Sequence, residues 1–305
     1  MNSHADVSTP PLPAALTGVR IVSIAINLPG PACARRLADF GAIVVKVEPP
    51  DALGGDPMRQ YARDYYDALH RGIDVRVLNL KSDTDRLALD QLLFTADVLI
   101  TSQRDAALAR LGLDWNGLSA RFPALSQIAI VGSMGANDAG HDLTYITEAG
   151  LATPPRLPTT LIADLAGAER AATAVFAALR LTQQSGHGHR LVVSLESAAN
   201  AFAGPHHYRL TARGGLLAGL HPGYNFYGAN DGWVALAALE PHFAARVQAA
   251  SGVAFTQEAL SGFFRQHGVR HWTQWAADHD IPLATLPSSS TACPSTAGPS
   301  TSSPS

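Results

Sequence analysis

The sequence contains few cysteines, little net charge and no long apolar run, and each of these features excludes a class of protein. The 305 residues include two cysteines, Cys33 and Cys293, without the spacing of a metal site or a disulfide framework. The net charge is −3 and no segment concentrates lysine and arginine, which gives nucleic-acid binding little electrostatic support. A run of about 18 apolar residues is also missing, so no transmembrane helix is predicted.

The N-terminal segment lacks the features of an export signal. Residues 1–13 are polar and proline-rich, without a basic start or an apolar stretch, and we expect them to be disordered. Apolar residues nevertheless make up 47% of the chain, which is enough to form one large domain with a smaller one. The sequence therefore predicts a soluble, cytoplasmic protein that binds neither nucleic acid nor a membrane.

The first half of the chain alternates short β-branched runs with helical segments. Val19–Ala25 and Ile43–Pro50 flank a helical pattern that ends near Gly41, which is the composition of a βαβ unit. Further strand-like runs are Val75–Leu80, Asp97–Ser102 and Leu125–Ser133. This alternation predicts an α/β fold with an open, mostly parallel, Rossmann-like sheet in a large domain over residues 14–215.

A smaller α+β domain is predicted over residues 216–286. After the glycine-rich break at Arg213–Gly223, a hairpin with "NDG" (Asn230–Gly232) as its turn precedes a helical stretch over residues 240–280. Its expected core is Phe243, Val247, Phe263, Phe264, Trp272 and Trp275. Residues 287–305 are almost entirely Ser, Pro and Thr, so we expect a disordered tail, either a linker or, as its abrupt start favours, out-of-frame translation.

Two residues suggest acid/base chemistry. His141 and Asp164 lie at the two ends of a segment that contains little other charge. They are either a capping histidine and a helix N-cap, or two acid/base groups that face one substrate carbon. The adjacent His206 and His207 are interpreted as solvated or packing residues, because adjacent histidines rarely point at one ion, and no metal site is predicted.

Several phrases, in order and spacing, resemble the class III CoA-transferase family (CaiB/BaiF type). They are "LTGVRIVSIA", "PGPACARRLADFGAIVVKVEPP", "GGDPMR", "LNLKS", "ADVLI", "RLGL" and "SGHGHRLVVSLESA". The resemblance is strongest to the α-methylacyl-CoA racemase branch, where "GHD" carries a catalytic histidine and "LEP" a glutamate. By this resemblance, His141, Asp164 and Glu240 are the expected catalytic residues.

The resemblance also implies the substrate and the assembly. The substrate would be an acyl-CoA thioester, with no cofactor other than the coenzyme A that it carries. Lys46, Arg59, Arg71 and Arg104 are the candidate partners of its phosphates. Family members form interlocked dimers, so a homodimer is expected if the fold is complete.

Three functions stay open at the level of the sequence. The first is racemisation of 2-methylacyl-CoA thioesters by transfer of the α-proton, and the second is CoA transfer between carboxylic acids through an aspartyl-CoA thioester. The third is a truncated, inactive family member, because recognisable sequence stops near Leu286. His141 together with Glu240 favours the first.

Overall fold

The computed structural model describes residues 13–134 and 139–288. These residues form two compact units, one ending at Ala203 and the other beginning at Gly204. The sequence placed this boundary after Gly215. The glycine-rich break on which that prediction rested lies inside the second unit, as a run of turns in which Leu217, Ala218 and Gly219 have non-helical backbone angles.

A six-stranded parallel sheet forms the centre of the first unit. Its strands follow the order β3-β2-β1-β4-β5-β6. Their bounds are β1 Arg20–Ser23, β2 Ile43–Glu48, β3 Asp74–Val77, β4 Val98–Thr101, β5 Ser126–Val131 and β6 Arg190–Ser194. This order is that of the doubly wound dinucleotide-binding fold, and it confirms the predicted α/β class.

Helices cover both faces of this sheet. The bounds are α1 Pro29–Asp39, α2 Pro57–Tyr61, α3 Arg63–Leu69, α4 Asp83–Phe94, α5 Asp105–Arg110, α6 Trp115–Arg121, α7 Asp142–Glu148, α8 Ile162–Ser185 and α9 Leu195–Phe202. Helices α1 and α8 bury alanine-rich faces on one side of the sheet, and α4, α5 and α6 bury leucines on the other. Because both faces are covered, the inner strands β1, β2, β4 and β5 are mainly apolar, whereas the edge strand β3 alternates and is largely exposed.

The second unit contains a small antiparallel sheet covered by helices. Strands β7 Tyr224–Ala229, β8 Gly232–Ala237 and β9 Leu283–Pro287 pair in that order, after a short helix α10 Gly204–His207. Helices α11 Pro241–Ser251, α12 Gln257–Phe264 and α13 Val269–His279 pack on one face. Strands β7 and β8 form the predicted hairpin. All six predicted core residues belong to the hydrophobic core of this unit, and Val247, Phe264 and Trp272 are fully buried.

The predicted start of the C-terminal tail also differs from the structure. Pro287, assigned to a disordered tail, is the last residue of β9 and pairs with Gly232, and the amide of Ser288 donates to the carbonyl of Asp231. Composition did not reveal this strand, because its pairing partner lies about fifty residues earlier in the chain. Residues 289–305, and residues 1–12 of the predicted N-terminal segment, lie outside the described part of the structure.

None of the helices within residues 13–134 and 139–288 combines the length and the apolar character that a membrane span requires.

Candidate active site

A cavity of about 620 Å³ opens at the carboxyl ends of the central strands of the first unit. Residues that directly follow β1 and β4 line it, together with the end of β5, and β1 and β4 are the strands between which the chain order reverses. Ligands of doubly wound sheets bind at such a reversal. The polar groups that line the cavity are Asn27, Tyr61, Ser102, His141, Asp142, Tyr145 and Asp164.

Asp164 reaches this cavity from the first turn of α8. The helix begins at Ile162 and has Leu161 as its N-cap residue, so the alternative interpretation of Asp164 as the N-cap is wrong. The buried carboxylate of Asp142 accepts a hydrogen bond from the Asp164 amide at 3.1 Å. A side chain from another helix therefore satisfies this amide, and the half-buried Asp164 carboxyl lines the cavity.

The environment of Asp164 favours its protonated form. The pKa of its carboxyl is raised from 3.8 to about 6, chiefly by burial and in part by the neighbouring charge of Asp142, whereas His141 acts to lower it. A carboxyl with a pKa near 6 can exchange a proton close to neutral pH, which is the property that general acid/base catalysis requires.

His141 reaches the same cavity from the start of α7, where it is the N-cap residue. Its amide donates to the Thr144 hydroxyl at 3.1 Å, and that hydroxyl donates to the His141 carbonyl at 2.8 Å. These two bonds hold the backbone that carries the exposed imidazole. The structure thus brings together the two residues that the sequence proposed as an acid/base pair.

Tyr145 lies one turn after His141, and its phenol packs directly against the backbone of two glycines. A Cβ atom at either Gly132 or Gly140 would collide with the Tyr145 ring or hydroxyl. Both glycines and the tyrosine line the cavity. Sequence reasoning missed Tyr145, although its spacing of four residues from His141 on a helix was a usable signal.

The side chain of Lys46 does not reach a surface at which a ligand could bind. Its side chain is fully buried in β2, and its ammonium donates to the Asp56 carboxylate at 2.9 Å and to the Ala25 carbonyl at 2.5 Å. Glu48 lies 3.7 Å from the same nitrogen. The assignment of Lys46 to a CoA phosphate is therefore wrong, because a buried ammonium needs these partners to offset its desolvation.

The three arginine candidates differ in their availability. Arg59 bonds to Glu48 at 2.9 Å and to the Tyr66 hydroxyl at 3.1 Å, so its guanidinium is largely occupied by the fold. Arg71 and Arg104 are exposed, and neither side chain has an ion pair with the described residues. Neither lines the cavity, so their roles as phosphate partners stay predictions.

A second cavity of about 300 Å³ adjoins the first through Ile26, which lines both. Its walls come from the ends of β1, β2 and β3 and from Gln103 just after β4. They are mainly apolar, and the exposed Lys81 lies among them. The sequence phrase "LNLKS" contains Lys81, yet sequence reasoning did not include this lysine among the phosphate partners.

Comparison with known proteins identifies the family. The sequence profile described as CoA-transferase family III matches residues 16–293. The chain belongs to CoA-transferase family III. Relatives in this family include succinyl-CoA–D-citramalate CoA-transferase from Chloroflexus aurantiacus, 30% identical over 91% of this chain and 74% of the relative. Human α-methylacyl-CoA racemase is 29% identical over 75% of this chain and 63% of its own length.

The matches differ in how much of each relative they span. The chain covers only about half (49%) of the cinnamoyl-CoA:phenyllactate CoA-transferase of Clostridium sporogenes, at 31% identity over 60% of this chain. A CaiB/BaiF family protein from Brucella suis has the same fold, with a TM-score of 0.73 and 20% identity over 90% of this chain and 84% of that one. The chain is thus a member of a family of enzymes that handle CoA thioesters.

Glu240, the third catalytic candidate in this family III chain, lies in the second unit. It is exposed and is the N-cap residue of α11, directly before Pro241. Its proposed role beside His141 stays a prediction. Within the first unit, sequence reasoning missed four polar residues of the cavity, which come from the loop after β1, from α2 and from α7: Asn27, Tyr61, Asp142 and Tyr145.

Proposed function

We propose that this family III protein moves the α-proton of an acyl-CoA thioester and so racemises 2-methylacyl-CoA substrates. The observation that carries the proposal is that His141 and Asp164 line one cavity, where burial raises the pKa of Asp164 to about 6. Racemisation needs one group to remove the proton and another to return one to the opposite face of the carbon. An imidazole and a carboxyl whose pKa is raised to about 6 can perform these two steps.

The intermediate of this reaction is an enolate, whose negative oxygen needs a hydrogen-bond donor. Tyr145 lines the same cavity one helical turn from His141, and its hydroxyl is the donor that we assign to the enolate. Apolar side chains of Ile26, Ile130, Val131, Leu143 and Leu195 form much of the remaining wall. Such a wall suits the hydrocarbon part of an acyl group and keeps water away from the enolate.

The coenzyme A portion would extend into the second cavity. Ile26 lines both cavities, and the apolar walls of the second suit a flat adenine ring. Lys81 at this cavity, with the exposed Arg104 shortly after β4, would then meet the phosphates. Replacing either with glutamine should raise the Kd for CoA without altering the pH dependence of proton exchange.

A second candidate function is CoA transfer, which the names of most of the similar relatives favour. The Asp164 carboxylate would attack the thioester carbonyl and release CoA as a thiolate, leaving an aspartyl mixed anhydride. The thiolate would then attack the aspartyl carbonyl, release the first acid and leave an aspartyl-CoA thioester. Attack on that thioester by a second acid, followed by the same steps in reverse, would complete the transfer.

Deuterium exchange separates these candidates. We expect the purified protein to incorporate deuterium at the α-carbon of 2-methylbutanoyl-CoA in heavy water, and both His141→Ala and Asp164→Asn to abolish this. Matched controls are His187→Ala and Asp83→Asn, two exposed residues that do not line the cavity. If only Asp164→Asn loses activity, and hydroxylamine attacks the aspartyl-CoA thioester to release CoA and leave a hydroxamate on Asp164, the protein is a transferase. If neither reaction occurs, the chain is an inactive member of the family.

A homodimer and a cytoplasmic location belong to the same proposal, since the sequence resemblance and composition imply them. Sedimentation equilibrium of the purified chain and fractionation of the source cells test them.

A further inference from the structure

Asn27 and Tyr61 form a hydrogen-bonded polar pair in the wall of the first cavity. The Tyr61 hydroxyl donates to the Asn27 side-chain oxygen at 2.7 Å, and both residues line the cavity. They come from different segments, the loop after β1 and the end of α2. Neither residue has a part in the proton transfer proposed above.

A single buried carboxylate positions the two backbone segments that carry this polar pair. Asp56 is 1% exposed, and one of its carboxylate oxygens accepts hydrogen bonds from the backbone N–H groups of Asn27 and Met58, both at 3.0 Å. The first bond holds Asn27 in a left-handed conformation with φ of 67°, and the second caps the helix that carries Tyr61. Lys46 donates to the other oxygen of Asp56, so the backbone that carries the pair is fixed before any ligand binds, while the exposed Tyr61 side chain is held by its bond to Asn27.

The polar pair offers both a donor and an acceptor. The side-chain oxygen of Asn27 accepts from Tyr61, so the side-chain NH₂ group of Asn27 is available as a donor. That NH₂ group has no hydrogen bond to the described residues. The Tyr61 oxygen keeps lone pairs that can accept. A hydroxyl group, which donates and accepts at once, satisfies both.

The charge around the cavity decides between possible polar ligands. Among the described residues that line it there is no lysine or arginine, whereas Asp142 and Asp164 are both present. A free carboxylate on the acyl group, as in a dicarboxylic acyl-CoA, would meet these two acidic side chains without a lysine or arginine to compensate its charge. A pure hydrocarbon would desolvate the polar pair without replacing its hydrogen bonds to water.

We propose that the Asn27–Tyr61 pair recognises a neutral hydroxyl on the acyl group and makes the site selective for hydroxyacyl-CoA over hydrocarbon and dicarboxylic acyl-CoA thioesters. This inference rests on the proposed function, since it takes the cavity to be the acyl site. It names the substrate class, which neither the acid/base pair nor the apolar wall specifies.

Three thioesters that differ in one group test the inference. They are 3-hydroxy-2-methylpropanoyl-CoA, 2-methylbutanoyl-CoA and methylmalonyl-CoA, which place a hydroxyl, a methyl or a carboxylate oxygen pair at nearly the same point. We expect the hydroxyl compound to bind about fivefold to tenfold more tightly than the methyl compound, as one net hydrogen bond implies, and the carboxylate compound to bind most weakly. Calorimetric Kd values measure this, with each thioester supplied as the racemate so that racemisation changes no concentration.

Variants of the polar pair then assign the selectivity. In Tyr61→Phe the ratio of the first two Kd values should fall to within twofold of one. Tyr65→Phe is the matched control, because Tyr65 is an exposed tyrosine that does not line the cavity, and it should keep the full ratio. Asn27→Gly is a second variant that keeps the left-handed backbone and removes the amide, and it should also lose the selectivity.

The possible outcomes separate the two proposals. Equal binding of the three thioesters, or a full ratio in both Tyr61→Phe and Asn27→Gly, would overturn the hydroxyl inference and leave the acyl-CoA function standing. Tightest binding of methylmalonyl-CoA would overturn the charge argument and, with it, the inference. If none of the three thioesters binds, the proposed function itself fails.

Discussion

At the scale of single residues, Asp142 controls the chemistry of Asp164. Its carboxylate caps the Asp164 amide and its charge raises the pKa of the Asp164 carboxyl. The two effects are separable, because an asparagine at position 142 can still accept the hydrogen bond but carries no charge.

We expect Asp142→Asn to lower the pKa of Asp164, since burial remains but the neighbouring charge is lost. The acidic limb of the pH profile of kcat/KM for α-proton exchange should lie near pH 6 in the native protein and move to lower pH in the variant. Exchange rates between pH 4.5 and 8 measure the limb. An unchanged limb in an active, folded variant would show that another group controls it.

Asp164 should also make the stability of the protein depend on pH. The folded protein binds the Asp164 proton more tightly than the unfolded chain, because the pKa is about 6 rather than 3.8. The free energy of unfolding therefore falls as the pH rises through this window. The loss at pH 7 is roughly 1 to 2 kcal/mol, discounted from 1.4 kcal/mol per pKa unit because solvent screens a half-buried group.

Asp164→Asn should remove this penalty. The variant should be more stable than the native protein at pH 7 by that amount and equally stable below about pH 4, where both side chains are neutral. Urea unfolding at pH 4, 5.5 and 7 checks the trend. A variant that is less stable at pH 7 would mean that the ionised carboxylate has a stabilising partner.

At the scale of elements, the start of α1 lies unusually close to the end of β1. A Cβ atom at Gly30 would lie 2.6 Å from the Ala25 Cβ and 2.7 Å from its carbonyl oxygen. This close approach sets the path of the intervening loop, which carries Asn27 to the cavity. Only glycine permits it, although alanine is the better helix former.

Gly30→Ala should therefore destabilise the protein by about 1 to 3 kcal/mol, as overpacking does, despite the gain in helix propensity. Gly262→Ala is the control, because Gly262 lies in α12 and, apart from the neighbouring helix residues, no atom lies within 4 Å of the point where the new methyl group would be placed. This variant should raise the free energy of unfolding by up to about 1 kcal/mol. Urea unfolding compares the two. Equal effects of the two substitutions would show that the β1–α1 contact yields easily.

At the scale of the whole molecule, each unit has its own hydrophobic core. The first unit buries side chains on both faces of its parallel sheet, and the second buries an aromatic cluster around Trp272. Trp272 is 1% exposed and its indole N–H donates to the carbonyls of Phe264 and His267 at 2.8 and 3.1 Å. Trp233 on β8 is 48% exposed.

Trp272→Ala should lower the free energy of unfolding of the second unit by about 3 to 5 kcal/mol, because it leaves a large cavity and two unpaired carbonyls. Trp233→Ala should cost less than about 1 kcal/mol, since this side chain keeps much of its contact with water. Chemical denaturation followed by circular dichroism measures both. Similar costs for the two tryptophans would contradict the assigned core.

The sequence by itself determined the architecture of both units. Apolar runs separated by amphipathic segments specify a parallel sheet covered on both faces, and "NDG" specifies the hairpin of β7 and β8. These signals are local, since they depend on periodicity and turn chemistry within a few residues. The family phrases likewise predicted that His141 and Asp164 share one site, and both line the first cavity.

Only the tertiary structure decided which polar residues meet. Lys46 resembles a phosphate partner in the sequence, yet its ammonium is buried against Asp56, because a strand residue beside an acidic turn can form that pair. Asn27 and Tyr61 are 34 positions apart and meet through the same Asp56. Strand β9 exists because β8 offers an open edge. Such contacts depend on long-range packing, which no local pattern encodes.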